Sequence, residues 1–315
     1  MKRMKNGKAV GPHDIPMEAW RCLGEMAVKF LTRLFNGILE SERMPEEWRR
    51  SVLVPIFKNK GDVQDCTNYR GIQLMSHSMK LWERVVEARL RSEVMISQQQ
   101  YGFMPRKSTT DAMFAPRMLM EKFREAQKEL HCVFVDLEKA YNRVPRQELW
   151  YCMRKSGVAE EYVRVVQDIY KGSATVVRSA VGVTDAFKLE VGLHQGSALN
   201  PFLFAMAMDR LTDEIRQESP CTMMFADDIV ICSDSREQVE KILERWRYAL
   251  ERRGMKVSRN KTEYMCVNER EVSGMLRMQG VELAKADEFK YLGSTVQSNG
   301  DCGREVKKRV QAGWN

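Results

Sequence analysis

Residues 222–232 read TMMFADDIVIC and set two aspartates, Asp227 and Asp228, side by side between apolar runs. The flanks have the make-up of buried strands, and two residues suffice for the turn of a hairpin. Adjacent carboxylates at the end of buried strands repel each other, and their burial is unfavourable unless a positive group compensates. This leaves two readings. Ala-Asp-Asp is an exposed hairpin turn, because Asp favours turns; or the pair belongs to a cation site that the rest of the chain completes.

A third carboxylate stands in a matching place. The run HCVFVDL reads as a buried strand with Asp136 at its end. Alone, Asp136 suits a strand-end cap. If its strand neighbours the hairpin in one sheet, the three carboxylates converge. Such a cluster stays ionised around Mg²⁺, a hard cation that prefers oxygen ligands. Two Mg²⁺ ions about 4 Å apart can activate an attacking 3′-hydroxyl and stabilise a leaving pyrophosphate.

Elsewhere helices and strands alternate. GPHDIPMEAWRCLGEMAVKFLTRLFNGILES reads as helices after a Pro-rich entry, and SVLVPIFK as a strand. MKLWERVVEARLRSEV places Leu81, Trp82, Val85, Val86 and Leu90 on one helical stripe with arginines opposite. PRQELWYCMRKSG and AEEYVRVVQDIYKG are helices closed by Gly, and ATVVRSAVGVTDAFKLEVG reads as paired strands. NPFLFAMAMDRL is apolar nearly all round, so it reads as a deeply buried helix. Ser235 and Gln238 open a further helix with a capping-box pattern, and Gly254 ends it. No linker rich in Pro, Gly and Ser divides the chain, which reads as one interlocked α+β body.

Composition narrows the class. At 315 residues, 43% hydrophobic and 30% charged, the chain can bury a sizeable core. A net charge of +8 favours a polyanionic partner. The eight cysteines form no Cys-x-x-Cys pair, which favours free thiols in a reducing compartment over disulfides or zinc. No stretch reaches the ~20 apolar residues of a membrane span, and the basic start lacks the apolar core of a secretory signal.

FVDLEKAYN, GLHQGSALNPFLFAMAMD, FADDIVI, RRGMKVSRNKTE and YLGSTV follow one another as the palm motifs of reverse transcriptases do. Upstream, GKAVGPHDIPMEAW, PIFKNKGDVQDCTNYRGI and YGFMPRKSTTDA match N-terminal and fingers motifs of the same group. The sequence resembles the reverse transcriptases of non-LTR (LINE-type) retrotransposons, of the RTE-like group, over essentially its whole length.

The resemblance implies roles residue by residue. Asp136, Asp227 and Asp228 are implied as catalytic metal-binding carboxylates, with the Leu137 carbonyl as a further ligand of two Mg²⁺ ions, or of Mn²⁺ in their place. Tyr141 falls at the steric-gate position, where a ring under the sugar clashes with a 2′-hydroxyl; the plain alternative is a core aromatic. Gln195 and Gly196 match the element that positions nucleotide and template. Lys58 and Arg70 fall near residues that grip the triphosphate, with Lys60 competing for the first place, and Lys261 falls where a pyrophosphate is protonated. Arg106, Lys107, Arg3 and the final REVKKRV are candidates for phosphate contacts. Departures include Asn142 in place of Asp, Asn200 in place of Ser, and His13 in place of Asp.

The implied fold is α+β, a right-hand polymerase with fingers, an antiparallel palm sheet and a truncated thumb. Residues 1–115 are expected to form an N-terminal extension and fingers. Residues 116–300 are expected to form the palm with a fingers insertion, its motifs at 131–142, 191–211, 222–232, 252–264 and 289–296; 301–315 would start the thumb. The implied function is RNA-directed DNA synthesis from a primer 3′-hydroxyl. Its partners are an RNA template, a DNA primer and deoxynucleoside triphosphates, with no membrane, inside the cell in the nucleus, the cytoplasm or both. The alternative is a decayed or truncated copy that binds nucleic acid without polymerising. Tyr141 argues against an RNA polymerase.

Overall fold

The computed structural model describes residues 4, 6–12, 15–218, 220–270 and 274–314. In chain order come helices α1 (Met17–Cys22) and α2 (Gly24–Ser41), strands β1 (Arg50–Phe57) and β2 (Tyr69–Leu74), and helices α3 (His77–Glu93) and α4 (Thr109–Glu125). Strand β3 (Leu130–Val135) precedes helices α5 (Ala140–Arg143), α6 (Arg146–Lys155) and α7 (Glu160–Tyr170). Strands β4 (Ala174–Ser179), β5 (Gly182–Val183) and β6 (Phe187–Lys188) precede helix α8 (Asn200–Thr212). Then follow β7 (Thr222–Phe225), β8 (Asp228–Ser233), α9 (Arg236–Glu251) and β9 (Glu263–Val267). Strands β10 (Arg277–Met278), β11 (Val281–Glu282), β12 (Ala284–Lys285), β13 (Glu288–Tyr291) and β14 (Ser294–Gln297) lead to helix α10 (Gly303–Trp314).

These elements form two compact units, and the chain passes between them more than once. The first comprises Met1–Met95 and Val144–Phe204, the second Ile96–Arg143 and Ala205–Asn315.

In the first unit β1 pairs antiparallel with β2 and parallel with β4. Helix α3 starts where Ser76 accepts the Met79 N–H at 3.1 Å, which satisfies one of the otherwise orphaned donors of the first turn. Its buried side is Met79, Trp82, Glu83, Val86 and Leu90, a helical spacing. The apolar stripe read from sequence is therefore right except that Glu83 lies within it and Val85 is only half-buried. Helix α7 buries Tyr162, Val163, Val166, Ile169 and Tyr170, and the Arg49 guanidinium ties β1's entry to Asp168 on that helix at 3.0 Å.

The second unit is built on a five-stranded sheet of order β12-β9-β3-β8-β7. Every residue of β3 is buried, as its unbroken apolar run requires of a central strand. Cys132, Phe134, Val230, Cys232 and Met265 point into one core with Leu119 and Met120 of α4 and Tyr291 of β13. Phe134 stacks on Phe289 of β13 with ring centroids 4.2 Å apart. Helix α9 packs Val239, Ile242, Leu243 and Trp246 inward, as its spacing predicts. Helix α4 has no counterpart in the sequence reading, because Pro116 inside it breaks the helical signal. It forms nonetheless behind a complete capping box of Ser108 and Asp111. All the cysteines are free; Cys132, Cys152, Cys232 and Cys266 are buried, whereas Cys22, Cys66 and Cys302 are exposed. Among the described residues no helix is long and apolar enough to cross a membrane.

Candidate active site

The β7–β8 hairpin closes in the shortest way. Phe225 pairs with Asp228, so Ala226 and Asp227 alone make the turn. Ala226 has φ 59°, the sign that hairpin turns of types I′ and II′ need at their first central residue. A residue with a Cβ resists that conformation, so the surroundings must impose it.

They do so through residues 99–102. The Met224 N–H donates to the Gln99 carbonyl at 2.9 Å and the Tyr101 N–H to the Met224 carbonyl at 2.7 Å, a short parallel pairing along β7. Gln100 is fully buried, and its Oε1 accepts both the Ala226 N–H at 2.9 Å and the Gly102 N–H at 2.8 Å. Gly102 has no room for a side chain: a Cβ there would lie 2.3 Å from the Ala226 nitrogen. The Lys107 ammonium donates to the Gln98 and Gln100 carbonyls and sits 4.8 Å over the Tyr101 ring. Lys107, expected on a phosphate, is thus engaged in holding this segment, while Arg106 beside it is exposed.

Strand β3 brings the third carboxylate. Its last pairs with β8 are Phe134 with Val230 and Val135 with Ile229, so one further step sets Asp136 level with Asp228. Antiparallel neighbours lie about 4.5–5.5 Å apart at Cα and turn their side chains to the same face. On β3's other edge the Asp136 carbonyl accepts the Ser258 N–H at 2.8 Å, and the Glu138 N–H donates to the Lys256 carbonyl at 2.8 Å. This bridge uses the groups on either side of Leu137 and not Leu137's own. By strand alternation the Leu137 carbonyl therefore points toward the side of β8.

The electrostatics follow from this convergence. Partial burial, then Asp227, then Asp136 push the Asp228 pKa up to about 6. Asp228 keeps solvent contact, so water screens part of the repulsion. Asp136 Oδ1 faces the Lys261 ammonium at 3.3 Å, a partly exposed pair worth about 0–1 kcal/mol. Among the described residues no three His, Cys, Asp or Glu side chains are gathered as a ready-made metal cage. The backbone register sets Asp136 level with Asp228, with Asp227 next to Asp228 in the turn, but Asp136 is drawn to Lys261. An oxygen-only donor set in which Asp227 and Asp136 raise the pKa of Asp228 suits a hard divalent cation.

Tyr141 lies on α5, half-buried, with its ring edge-on to Phe103 at 6.4 Å; Phe103 also contacts Phe225 at the hairpin. Burial and then the Asp227 charge push its phenol pKa up, so it stays neutral.

Gln195 and Gly196 belong to the first unit. The Gln195 carbonyl accepts the Gln73 N–H at 2.8 Å at the end of β2. Gly196 has φ 118° and a Cβ there would meet the Gln73 carbonyl oxygen at 2.4 Å, so only glycine fits. His194 is buried, with neither ring nitrogen hydrogen-bonded; burial and then Arg146 push its pKa down to about 3 and leave it neutral. Lys58 donates to the Thr67 carbonyl at 2.9 Å, and Arg70 stands exposed opposite Ile56. In the final REVKKRV, Arg304 pairs with Glu288, Arg309 with Glu305, and Lys308 with Thr295. Arg3 and His13 lie outside the described residues.

Sequence reasoning passed over Gln100 and Glu83. Glu83 had a legible signal, a carboxylate at an apolar-stripe position of α3. Gln100 had none, since ISQQQ reads as a short polar run.

Comparison with solved structures defines the fold. Apo telomerase from Candida Tropicalis, truncated from the C-terminal domain, matches with a TM-score of 0.56 at 12% identity over 86% of this chain and 59% of that one. Telomerase from the same organism in complex with a TWJ fragment of telomeric RNA gives 0.55 at 12% identity, over 90% and 48%. The chain has the right-hand polymerase fold.

Residues 57–296 match the family described as Reverse transcriptase (RNA-dependent DNA polymerase), and the chain belongs to that family. The probable RNA-directed DNA polymerase from transposon BS of Drosophila melanogaster is 23% identical over 98% of this chain and 36% of its own length. The Pol polyprotein from the element R2DM of that organism is 23% identical over 98% and 31%. The RNA-directed DNA polymerase from its mobile element jockey is 23% identical over 97% and 35%. These relatives are proteins of non-LTR, LINE-type retrotransposons. The chain spans about a third of the length of these curated relatives.

Proposed function

We propose that this chain extends a DNA primer 3′-hydroxyl with deoxynucleoside triphosphates on an RNA template. The observation that carries the reading is the β3–β8 register, which sets Asp136 level with Asp228, the neighbour of Asp227 in the hairpin. Asp136, Asp227, Asp228 and the Leu137 carbonyl would hold Mg²⁺. Bound there, the ions would supply Lewis-acid activation of the 3′-hydroxyl and neutralise charge on the leaving pyrophosphate.

The chain's own residues do the rest. The Gln100 clamp holds the Asp227 turn in place against its own strain. Lys261 neutralises Asp136 before the substrate arrives and then becomes a donor for the pyrophosphate. Tyr141, braced by Phe103, excludes a 2′-hydroxyl by contact. Gln195 and Gly196 position nucleotide and template, and Lys58, Arg70 and Arg106 meet phosphates. The second unit thus serves as palm and the β1–β2 hairpin as fingers. The RTE-like placement rests on the wording of the motifs. Nucleic-acid partners of this kind imply a nuclear or cytoplasmic location.

The test is primer extension on RNA and DNA templates, with deoxy- or ribonucleotides, with Mg²⁺ or EDTA. Deoxynucleotide addition on RNA, abolished by EDTA, is expected. Primer-template binding without extension would overturn the reading.

A further inference from the structure

The loop 194–200, which carries Gln195 and Gly196, is held from two sides within the first unit. One side is Gln73 of β2, described above. The other is Glu83 of α3, a carboxylate with no solvent exposure. One of its oxygens accepts the Ser197 hydroxyl at 2.6 Å and the other the Ala198 N–H at 2.8 Å. Ser197 Oγ in turn accepts the Leu199 N–H at 3.1 Å and the Asn200 N–H at 3.2 Å, at the N-terminus of α8. The Asn200 side chain closes the loop by donating to the His194 carbonyl at 2.9 Å and accepting the Tyr170 hydroxyl.

This arrangement answers why a carboxylate sits in the apolar stripe of α3. A helix interior position facing the core favours Met or Leu, and a buried charge is unfavourable there. What Glu83 offers and an apolar residue lacks is two acceptors in one plane. They match two donors that the sharp turn after Gly196 leaves pointing inward. The orphan N–H groups of the α8 N-terminus, reached through Ser197, favour negative charge in the same place. Burial pushes the Glu83 pKa up to about 7, while Ser197, Ala198 and Lys80 draw it down. Such a residue is retained for what it holds and not for the stability of the helix.

We propose that Glu83 is a positioning residue for nucleotide selection, acting through Ser197 and Ala198 on the conformation of Gln195 and Gly196. The proposal rests on the role given to Gln195 and Gly196 above. Its signature is a defect in nucleotide binding greater than the defect in turnover, with local loosening of the loop. Glu83→Gln keeps the size and one acceptor, but its amide N–H₂ meets either the Ala198 donor or a Ser197 oxygen already accepting two N–H groups. It should therefore be intermediate, and Glu83→Ala more severe.

Two measurements on the full chain decide the matter. In steady-state primer extension, Glu83→Ala should raise KM for the incoming deoxynucleotide about tenfold or more and lower kcat by a smaller factor, with Glu83→Gln between. In hydrogen–deuterium exchange, the amides of Ala198, Leu199 and Asn200 should exchange about tenfold faster in either variant, with β3 and β8 unchanged. Ser197→Ala should reproduce the exchange change, and its effect should not add to that of Glu83→Gln. Unchanged loop exchange, or additive effects, overturns the proposal, as does a kcat loss exceeding the KM rise. If the unaltered chain does not extend primers, the functional reading fails by itself. The exchange measurement then still tests the lock.

Discussion

The two segments assigned to substrate chemistry are held by the same device in opposite electrostatic forms. At the β7–β8 turn a buried amide, Gln100, accepts two backbone N–H groups. At the loop before α8 a buried carboxylate, Glu83, accepts a hydroxyl and an N–H. Each segment also carries one glycine pressed on a backbone atom, Gly102 at 2.3 Å and Gly196 at 2.4 Å for the missing Cβ. The difference lies in the neighbours. A carboxylate at position 100 would add a fourth negative charge where two aspartates already push up the pKa of a third, Asp228. A carboxylate at position 83 meets donors at a helix N-terminus, where negative charge is favoured. The local field decides whether a clamp is neutral or charged.

The largest expected effect comes from the aspartates that the first clamp serves. Asp227→Asn should lower primer extension by at least ~10³-fold, about 4 kcal/mol of barrier. Asp136→Asn should do the same, with thermal stability little changed or raised. An Asp227→Asn variant within tenfold of the unaltered chain would falsify the catalytic assignment.

Next are the glycines. In Gly102→Ala the new methyl must displace the Ala226 backbone, shifting the Asp227 turn by a fraction of an ångström to an ångström. Misplacement on that scale costs about 10²-fold in rate. Gly196→Ala should act instead on KM for the nucleotide. Equal kcat and KM patterns in the two variants would break the comparison between the clamps.

How far these sites were legible in the sequence follows from the range of the forces involved. The hairpin, the buried strand ending in Asp136 and helices α2, α3, α7 and α9 are written in local periodicity and turn chemistry. The clamps are not local. Gln100 reaches Ala226 and Glu83 reaches Ser197 across more than a hundred residues of chain. Nothing in ISQQQ announces which glutamine will be buried. Helix α4 was hidden by Pro116, which lies on the buried face of the helix with Ala112, Leu119 and Met120, so that packing offsets the missing N–H. The bonds from Lys107 to the Gln98 and Gln100 carbonyls are likewise set by the folded segment and have no mark in the local sequence.

A smaller effect separates the two clamps directly. Gln100→Glu keeps the shape and adds a negative charge beside Asp227. Extension should fall about 10–100-fold, as for other outer groups that orient metal ligands. Raising Mg²⁺ should recover part of the loss. If Gln100→Glu and the unaltered chain show the same Mg²⁺ dependence, the neutral form of the first clamp has no electrostatic reason.

Removing the ring in Tyr141→Ala should raise ribonucleotide use relative to deoxynucleotide use about tenfold, about 1.4 kcal/mol of discrimination. Equal loss with both sugars would mean that Tyr141 is core packing against Phe103.

The smallest effect concerns stability, and its sign follows from proton binding. The Glu83 pKa rises from 4.5 in the unfolded chain to about 7 in the fold. Below pH 4.5 Glu83 is protonated in both states and contributes no pH dependence. Between these values the folded state keeps a proton that the unfolded state gives up, so stability falls as pH rises. Above about 7 the loss is complete and a charged carboxylate remains buried, opposed by the nearby Lys80. A neutral amide in Glu83→Gln has no such term. The melting temperature of Glu83→Gln relative to the unaltered chain should therefore climb between pH 5 and pH 8, by roughly 5 °C. Over the same range its loop amides should remain the faster to exchange. A variant that gains stability at high pH yet loosens the loop shows a charge kept for position at the expense of stability. A melting difference flat with pH would mean that Glu83 is already ionised at pH 5, and the contrast with Gln100 would then rest on geometry alone.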